Sequence, residues 1–118
     1  MSKILLIEDD HNLGLMVKDI LEFSNHTVNL LRSPIKAIEI LIEESFDLVV
    51  LDKLLSGIDG TIVCHDIRQT SSISNIPILM MSALSESEED CLRAGATNFI
   101  YKPFDIETFA NRVQATLG

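Results

Sequence analysis

Four short apolar runs along the chain each end in residues that carry chemistry. Ile4 to Ile7 leads into Glu8-Asp9-Asp10, Leu48 to Leu51 into Asp52, and Ile78 to Met81 into Ser82. Phe99-Ile100 leads into Tyr101-Lys102-Pro103. Short runs of this kind, bounded by turn formers, read as buried strands. Between them lie stripes at helical spacing. The first carries Leu13, Met16, Val17, Ile20 and Leu21, the third Ile62, Val63 and Ile67, and the last Ile106, Phe109, Ala110, Val113 and Leu117. Ser33-Pro34 predicts an N-cap with proline at the first helical position, opening a helix to about Ile42. Asp10 or Asn12 serves as cap for the first helix. Ser85 with Glu88 predicts a capping box for the fourth helix, which stops at Gly95, and Asp105 caps the fifth.

Five β-α units follow, with strands near 3–8, 27–31, 47–51, 77–81 and 97–100. Alternation of this kind predicts an α/β fold, a doubly wound five-stranded parallel sheet with five helices on its two faces. A chain of 118 residues is too short for a closed eight-fold barrel and suits a single domain spanning 1–118. In an open parallel sheet, the carboxyl ends of the strands converge on one crevice, where ligands bind. The acids, the hydroxyl and the lysine that end the four runs are therefore expected to meet.

Composition narrows the class further. With 47% hydrophobic and 23% charged residues, the chain reads as globular rather than disordered. No apolar run approaches the ~20 residues a membrane span needs, and Met1-Ser2-Lys3 leads straight into a strand, so neither membrane association nor secretion is expected. Cys64 and Cys91 lack a CxxC partner and are expected as reduced thiols in a cytoplasmic protein. The net charge of −9, from 18 acids against 9 bases, leaves no basic face for direct nucleic-acid binding. Most of that acidity keeps the chain soluble, and Glu86 to Asp90 suits a solvated helix start.

The gathered residues suit a phosphoryl group and a hard divalent cation. Mg²⁺ takes octahedral oxygen ligands and keeps several waters, so one or two carboxylates from Glu8, Asp9 and Asp52 suffice. An aspartate is ionised at neutral pH and attacks phosphorus without a general base. The loose transition state of phosphoryl transfer spreads charge over three equatorial oxygens, so positioning and charge stabilisation do most of the work. One oxygen goes to Mg²⁺, one to the Lys102 ammonium, and one to the Ser82 hydroxyl with nearby backbone N–H groups. Taken singly, each residue has a plainer role as a helix cap, a solvated lysine or a turn serine. Their joint placement carries the weight. None of His11, His26 and His65 is assigned a role; His26 and His65 are expected on helix or turn surfaces.

Over its whole length the chain resembles the receiver domain of bacterial two-component response regulators, of the CheY-like kind. The matching pieces are Lys3 to Asp10, Phe46 to Asp52 with Leu55-Ser56-Gly57-Ile58-Asp59-Gly60, Pro77 to Ala83, and Gly95 to Phe104. That resemblance implies a flavodoxin-like strand order of 2-1-3-4-5. It also implies Asp52 as phospho-acceptor, Glu8 and Asp9 as the acidic pair, and Lys102 as the phosphate-binding lysine. Mg²⁺ is then held by Asp9, Asp52 and the Leu54 backbone carbonyl, with Glu8 contributing directly or through a water. Ser82 becomes the switch hydroxyl and Phe99 the switch aromatic, although the run around Phe99 alone suggests only a core position. In relatives the ring turns inward as the hydroxyl is drawn to the phosphoryl group, and the surface of the fourth helix, fifth strand and fifth helix changes. Receivers commonly hold the bond corresponding to Lys102-Pro103 as a cis peptide.

The function so implied is a signalling switch, not an enzyme acting on a separate substrate. A sensor histidine kinase or a histidine phosphotransfer protein donates the phosphoryl group, and an unidentified downstream protein or output domain reads it. A homodimer linked to phosphorylation is the family's usual option. Two departures bear on this. Ser56 stands where the family often has proline, which predicts a less rigid loop after Asp52. Thr97 and Asn98 stand where the winged-helix subclass usually carries acids, although Arg112 remains at the pairing position, so that subclass's salt-bridged dimer is not expected. In receivers the positions two residues after the acceptor and two after the switch hydroxyl flank the route of water to the phosphoryl group. Here they are Leu54 and Leu84, which offer neither base nor hydrogen bond, so the resemblance predicts slow hydrolysis.

Two other functions use the same residues. A haloacid-dehalogenase-like phosphatase also has an aspartate nucleophile and Mg²⁺, but wants a second aspartate where this chain has Leu54. A binding module with a receiver fold that is never phosphorylated usually lacks the acceptor, an acid or the lysine, and all of these are present here.

Overall fold

The structure, a computed structural model, describes all of residues 1–118. Five strands form one parallel sheet: β1 (Lys3–Ile7), β2 (Thr27–Leu31), β3 (Leu48–Asp52), β4 (Ile78–Ser82) and β5 (Asn98–Tyr101). Their order is β2-β1-β3-β4-β5, as the doubly wound reading requires. Register is continuous across the sheet. Ile7 pairs with both Leu31 and Leu51, Asp52 with Met81, and Ser82 with Tyr101, so the strand ends line up along one edge.

Side chains alternate across this sheet and divide the core in two. Leu5, Ile7, Val49, Leu51, Ile78, Met80 and Phe99 pack under α2 (Ala37–Glu43), α3 (Gly60–Gln69) and α4 (Glu88–Ala94). Ile4, Leu6, Leu48, Val50, Leu79, Met81 and Ile100 pack under α1 (His11–Phe23) and α5 (Ile106–Leu117). Both faces of the sheet are covered, which explains runs that are apolar throughout rather than alternating.

Helix starts follow local chemistry with two exceptions. Asp10, Asp59 and Asp105 cap α1, α3 and α5, their carboxylates accepting from Leu13, Thr61 and Thr108 N–H groups at 2.9, 2.9 and 2.7 Å. Ser33-Pro34 does not open α2. The Ser33 hydroxyl accepts from the Ile35 N–H, a turn intervenes, and the helix begins at Ala37. The capping box of Ser85 and Glu88 is likewise absent. Glu86 adopts φ +61°, and Ser87 stands at the helix start with its hydroxyl donating to the Leu84 carbonyl at 2.6 Å. The end of α4 is as read, with Gly95 at φ +116°.

Three stripe members, Met16, Ile62 and Ile106, face solvent, while Cys64 fills the core position of α3. His26, expected at the surface, is buried, and its Nδ1 accepts from the Ser2 N–H at 3.2 Å. No helix is long and apolar enough to cross a membrane.

Candidate functional site

Continuing the alternation past the strand ends puts Glu8, Asp52 and Lys102 on the side of the sheet that α1 and α5 cover. The ladder extends far enough to hold them there, through Glu8 N–H to Leu31, Lys53 N–H to Met81 and Lys102 N–H to Ser82 carbonyls at 3.0, 2.8 and 2.8 Å. Three strands thus deliver two acids and a lysine to one point. Asp9, one residue further along, completes the group from the β1–α1 loop. Glu8, Asp9 and Asp52 each offer a carboxylate oxygen within 4.8 Å of the others.

Both oxygens of Asp52 are engaged. Its Oδ2 lies 2.7 Å from the Lys102 Nζ, and its Oδ1 accepts from the Leu54 N–H at 3.2 Å. Lys102 also reaches Glu8 Oε1 at 3.5 Å. Burial lowers the lysine's affinity for its proton, but the hydrogen bond and charge of Asp52, with those of Glu8, outweigh it and leave the pKa raised. Glu8 is 1% exposed. Burial first, then its hydrogen bond with Asp52, push its pKa up to about 8, so at neutral pH the cluster retains a proton.

Asp9 behaves oppositely. The Ser56 hydroxyl donates to its Oδ2, and this bond, opposed by burial, holds the carboxyl below the usual carboxylate range. Ser56 reaches Asp9 because Leu54–Leu55 and Ile58–Asp59 form a small antiparallel hairpin with a two-residue turn. Ser56 at φ +29° and Gly57 at φ +84° give it positive φ at both central positions, as such turns require. The loop that the missing proline was expected to loosen is instead paired and tied to the acidic cluster. The stretch Ser56 to Gly60 is legible in the sequence as a turn, and the structure narrows it to Ser56-Gly57, with Ile58–Asp59 paired as a strand and Gly60 opening α3. Gly60 is also fixed by the site, since a Cβ there would meet the Asp52 carbonyl oxygen and sit 2.9 Å from Lys53 Cα.

Ser82 and Phe99 fall on the opposite side of the sheet. Ser82 is buried, and its hydroxyl accepts from the Leu84 N–H at 3.0 Å rather than reaching Asp52. The cleft above the acids is nonetheless lined by Ser82, Ala83, Leu84 and Leu54 as well as by Asp52 and Lys102. Phe99 is already turned into the core, at 2% exposure, with Tyr101 edge-on at 4.6 Å between ring centroids. A phenyl ring has no polar atom to satisfy, so burial alone, worth ~1.5–3 kcal/mol, favours this position. Arg112 donates to the Phe99 carbonyl from α5, an intramolecular use of the cation. The Lys102–Pro103 peptide is cis.

The donor set fits a hard divalent cation. Three carboxylates converge, all ligand atoms are oxygen, and acids outnumber the single lysine among them. His11 is exposed beside the cluster and takes no part in it.

Comparison with known proteins agrees with this arrangement. The family model described as the response regulator receiver domain matches residues 4–114. "Response regulator ArlR" of Staphylococcus saprophyticus is 34% identical over 119 residues, covering 99% of this chain and 53% of that protein. The "DNA-binding dual master transcriptional regulator RpaA" of Synechocystis is 33% identical, covering 99% and 49%. The chain spans about half the length of the curated relatives it matches. A two-component response regulator from Clostridium difficile superposes with a TM-score of 0.87 at 28% identity, covering 99% of this chain and 96% of that one. The receiver domain of the sensor histidine kinase PA1611 from Pseudomonas aeruginosa, which has a magnesium ion in its active-site cleft, gives 0.89 at 26% identity, covering 99% and 98%. With its sheet order, its clustered acids and a family match across nearly its full length, this chain belongs to the response regulator receiver domain family.

Proposed function

We propose that this receiver domain works as a phosphorylation-dependent switch whose acceptor is Asp52. The observation that carries this reading is the Lys102 ammonium 2.7 Å from the Asp52 carboxylate, beside Glu8 and Asp9. A carboxylate oxygen of Asp52 attacks the phosphorus of a phosphohistidine on a partner kinase or phosphotransfer protein. The new P–O bond forms as the P–N bond breaks, and the leaving imidazole takes up a proton. Lys102 holds one equatorial oxygen, and Ser82 turns from the Leu84 N–H towards another. Bound Mg²⁺ supplies compensating charge for the incoming oxygens. Asp9, Asp52 and the Leu54 carbonyl are its proposed ligands, with Glu8 alongside.

The output is a shift in population of the α4–β5–α5 surface, biased by the new bonds that Ser82 and Lys102 make. Phe99, inward at rest, is the proposed switch aromatic, and its position follows the movement of the Ser82–Leu84 segment towards the phosphoryl group. We assign the domain a cytoplasmic location, no direct nucleic-acid contact, and a downstream partner or output domain. Arg112, held on the Phe99 carbonyl, and the neutral Thr97 and Asn98 argue against the salt-bridged dimer of the winged-helix subclass.

Incubation with acetyl phosphate and Mg²⁺, followed by intact mass, tests the reading. One added phosphoryl group supports it. Absence of any adduct favours a receiver-like binding module that is never phosphorylated, and turnover of small phosphomonoesters favours a phosphatase.

A further inference from the structure

The hairpin after Asp52 places a hydroxyl against a carboxylate of the candidate cation site, and the proposed phosphoryl transfer makes no use of that hydroxyl. Its geometry is specific. Ser56 stands at φ +29°, in the left-handed region, followed by Gly57 at φ +84°. Proline, fixed near a φ of about −65°, has no access to this turn. The strands either side are in register, Leu54 opposite Asp59 and Leu55 opposite Ile58, so the turn is held at both ends. From its apex the Ser56 hydroxyl donates to Asp9 Oδ2, and both residues line the cleft above Asp52. Asp9 comes from the loop after β1, forty-seven residues earlier. The Ser56 hydroxyl is the largest cause of its lowered pKa, and Glu8 and nearby backbone N–H groups also favour its ionised form. The Asp10 cap and the Glu8 carboxylate are each occupied elsewhere, with Leu13 N–H and with Asp10 N–H and Lys102.

We infer that Ser56 is a positioning residue for cation binding: its hydroxyl engages one oxygen of Asp9 and fixes that carboxylate within reach of Glu8 and Asp52. The inference rests on the proposed divalent-cation site. Groups that hydrogen-bond a metal-ligating carboxylate set its orientation, and losing one typically lowers affinity ~10–100-fold. A half-buried acid on a loop otherwise samples several rotamers, and that freedom must be surrendered on binding. The hairpin removes this cost beforehand, in a manner that a proline at 56 cannot reproduce because it supplies neither the hydroxyl nor the turn.

The test is Mg²⁺ binding to the full chain by calorimetric titration, for the wild type, Ser56→Gly and Ser56→Pro. Glycine keeps positive φ without strain and deletes only the hydroxyl. The expected result is a Kd about tenfold or more weaker in Ser56→Gly, with Ser56→Pro at least as weak. An unchanged Kd in Ser56→Gly overturns the inference, and if Ser56→Pro alone is weak, the turn rather than the hydroxyl matters. Wild-type protein that binds no Mg²⁺ overturns the cation site itself, a result distinct from equal binding by wild type and variant. Circular dichroism of each variant confirms that the fold is retained.

Discussion

The Lys102 ammonium stands 2.7 Å from the Asp52 carboxylate across fifty residues of sequence, with Asp52 buried and Lys102 half-buried. In water such a pair contributes little, but here each partner is desolvated, and either one alone is left uncompensated. The lysine thus neutralises the nucleophile's surroundings before any phosphoryl group arrives. It also stands ready to take an equatorial oxygen.

Replacing Lys102 with Met should slow phosphoryl uptake from acetyl phosphate by ~10²-fold, the usual effect of deleting one positioned charge donor. The rate of adduct accumulation by intact mass measures this. An unchanged rate would show that Lys102 only balances charge in the resting site.

Glu8 sets the pH response of the metal-free protein. Its folded value of about 8 lies above the ordinary 4.5, so folding favours the protonated form. The associated stability is fully present below pH 4.5 and is lost as pH rises through about 8. Thermal midpoints without metal should therefore fall from about pH 5 to about pH 9, and Glu8→Gln should flatten that fall. Mg²⁺ should oppose it, because binding displaces the proton. An identical slope in Glu8→Gln would assign the effect elsewhere.

The two leucines at the cleft mouth bear on how long a phosphoryl group stays. Leu54 is 59% exposed and Leu84 47% exposed, so neither is needed for packing, and both line the cleft. The double variant Leu54→Asn with Leu84→Glu, which offers water a hydrogen bond and a base, should shorten the adduct's lifetime by ~10-fold or more. Decay after removal of the donor gives the lifetime directly. A lifetime equal to or longer than that of the wild type contradicts the expectation.

Gly60 links the site to the fold. A Cβ at this position would stand 2.9 Å from Lys53 Cα and 3.0 Å from the Asp52 carbonyl carbon. Gly60→Ala must displace that backbone, at ~1–3 kcal/mol. Both the denaturation midpoint and phosphoryl uptake should fall together. A loss of stability with normal uptake would separate the two.

Much of this was legible in the chain. Runs such as Leu48 to Leu51 end in chemistry because parallel strands are buried on both faces and present their carboxyl ends together, so Asp52, Glu8 and Lys102 could be placed from order alone. Helix starts were less legible where two local solutions compete. Ser33 accepts from Ile35 in a turn instead of opening α2, and Ser87 with Leu84 replaces the Ser85 box. The buried His26 accepts from the Ser2 N–H, a partner twenty-four residues away that no local pattern announces. The state of Ser82 and Phe99 is a tertiary property in the same sense. Ser56 shows the converse hazard, since comparison with proline suggested looseness where Ser-Gly chemistry builds a closed turn.

Identification of the phosphorylated atom tests the central claim most directly. An acyl phosphate is cleaved by hydroxylamine, whereas a phosphoserine ester is stable to it. After treatment with acetyl phosphate and Mg²⁺, the wild type should carry one hydroxylamine-labile phosphoryl group, mapped by peptide mass to the segment holding Asp52, and Asp52→Ala should carry none. A hydroxylamine-stable adduct on Ser56 or Ser82, or an undiminished labile adduct in Asp52→Ala, would contradict it.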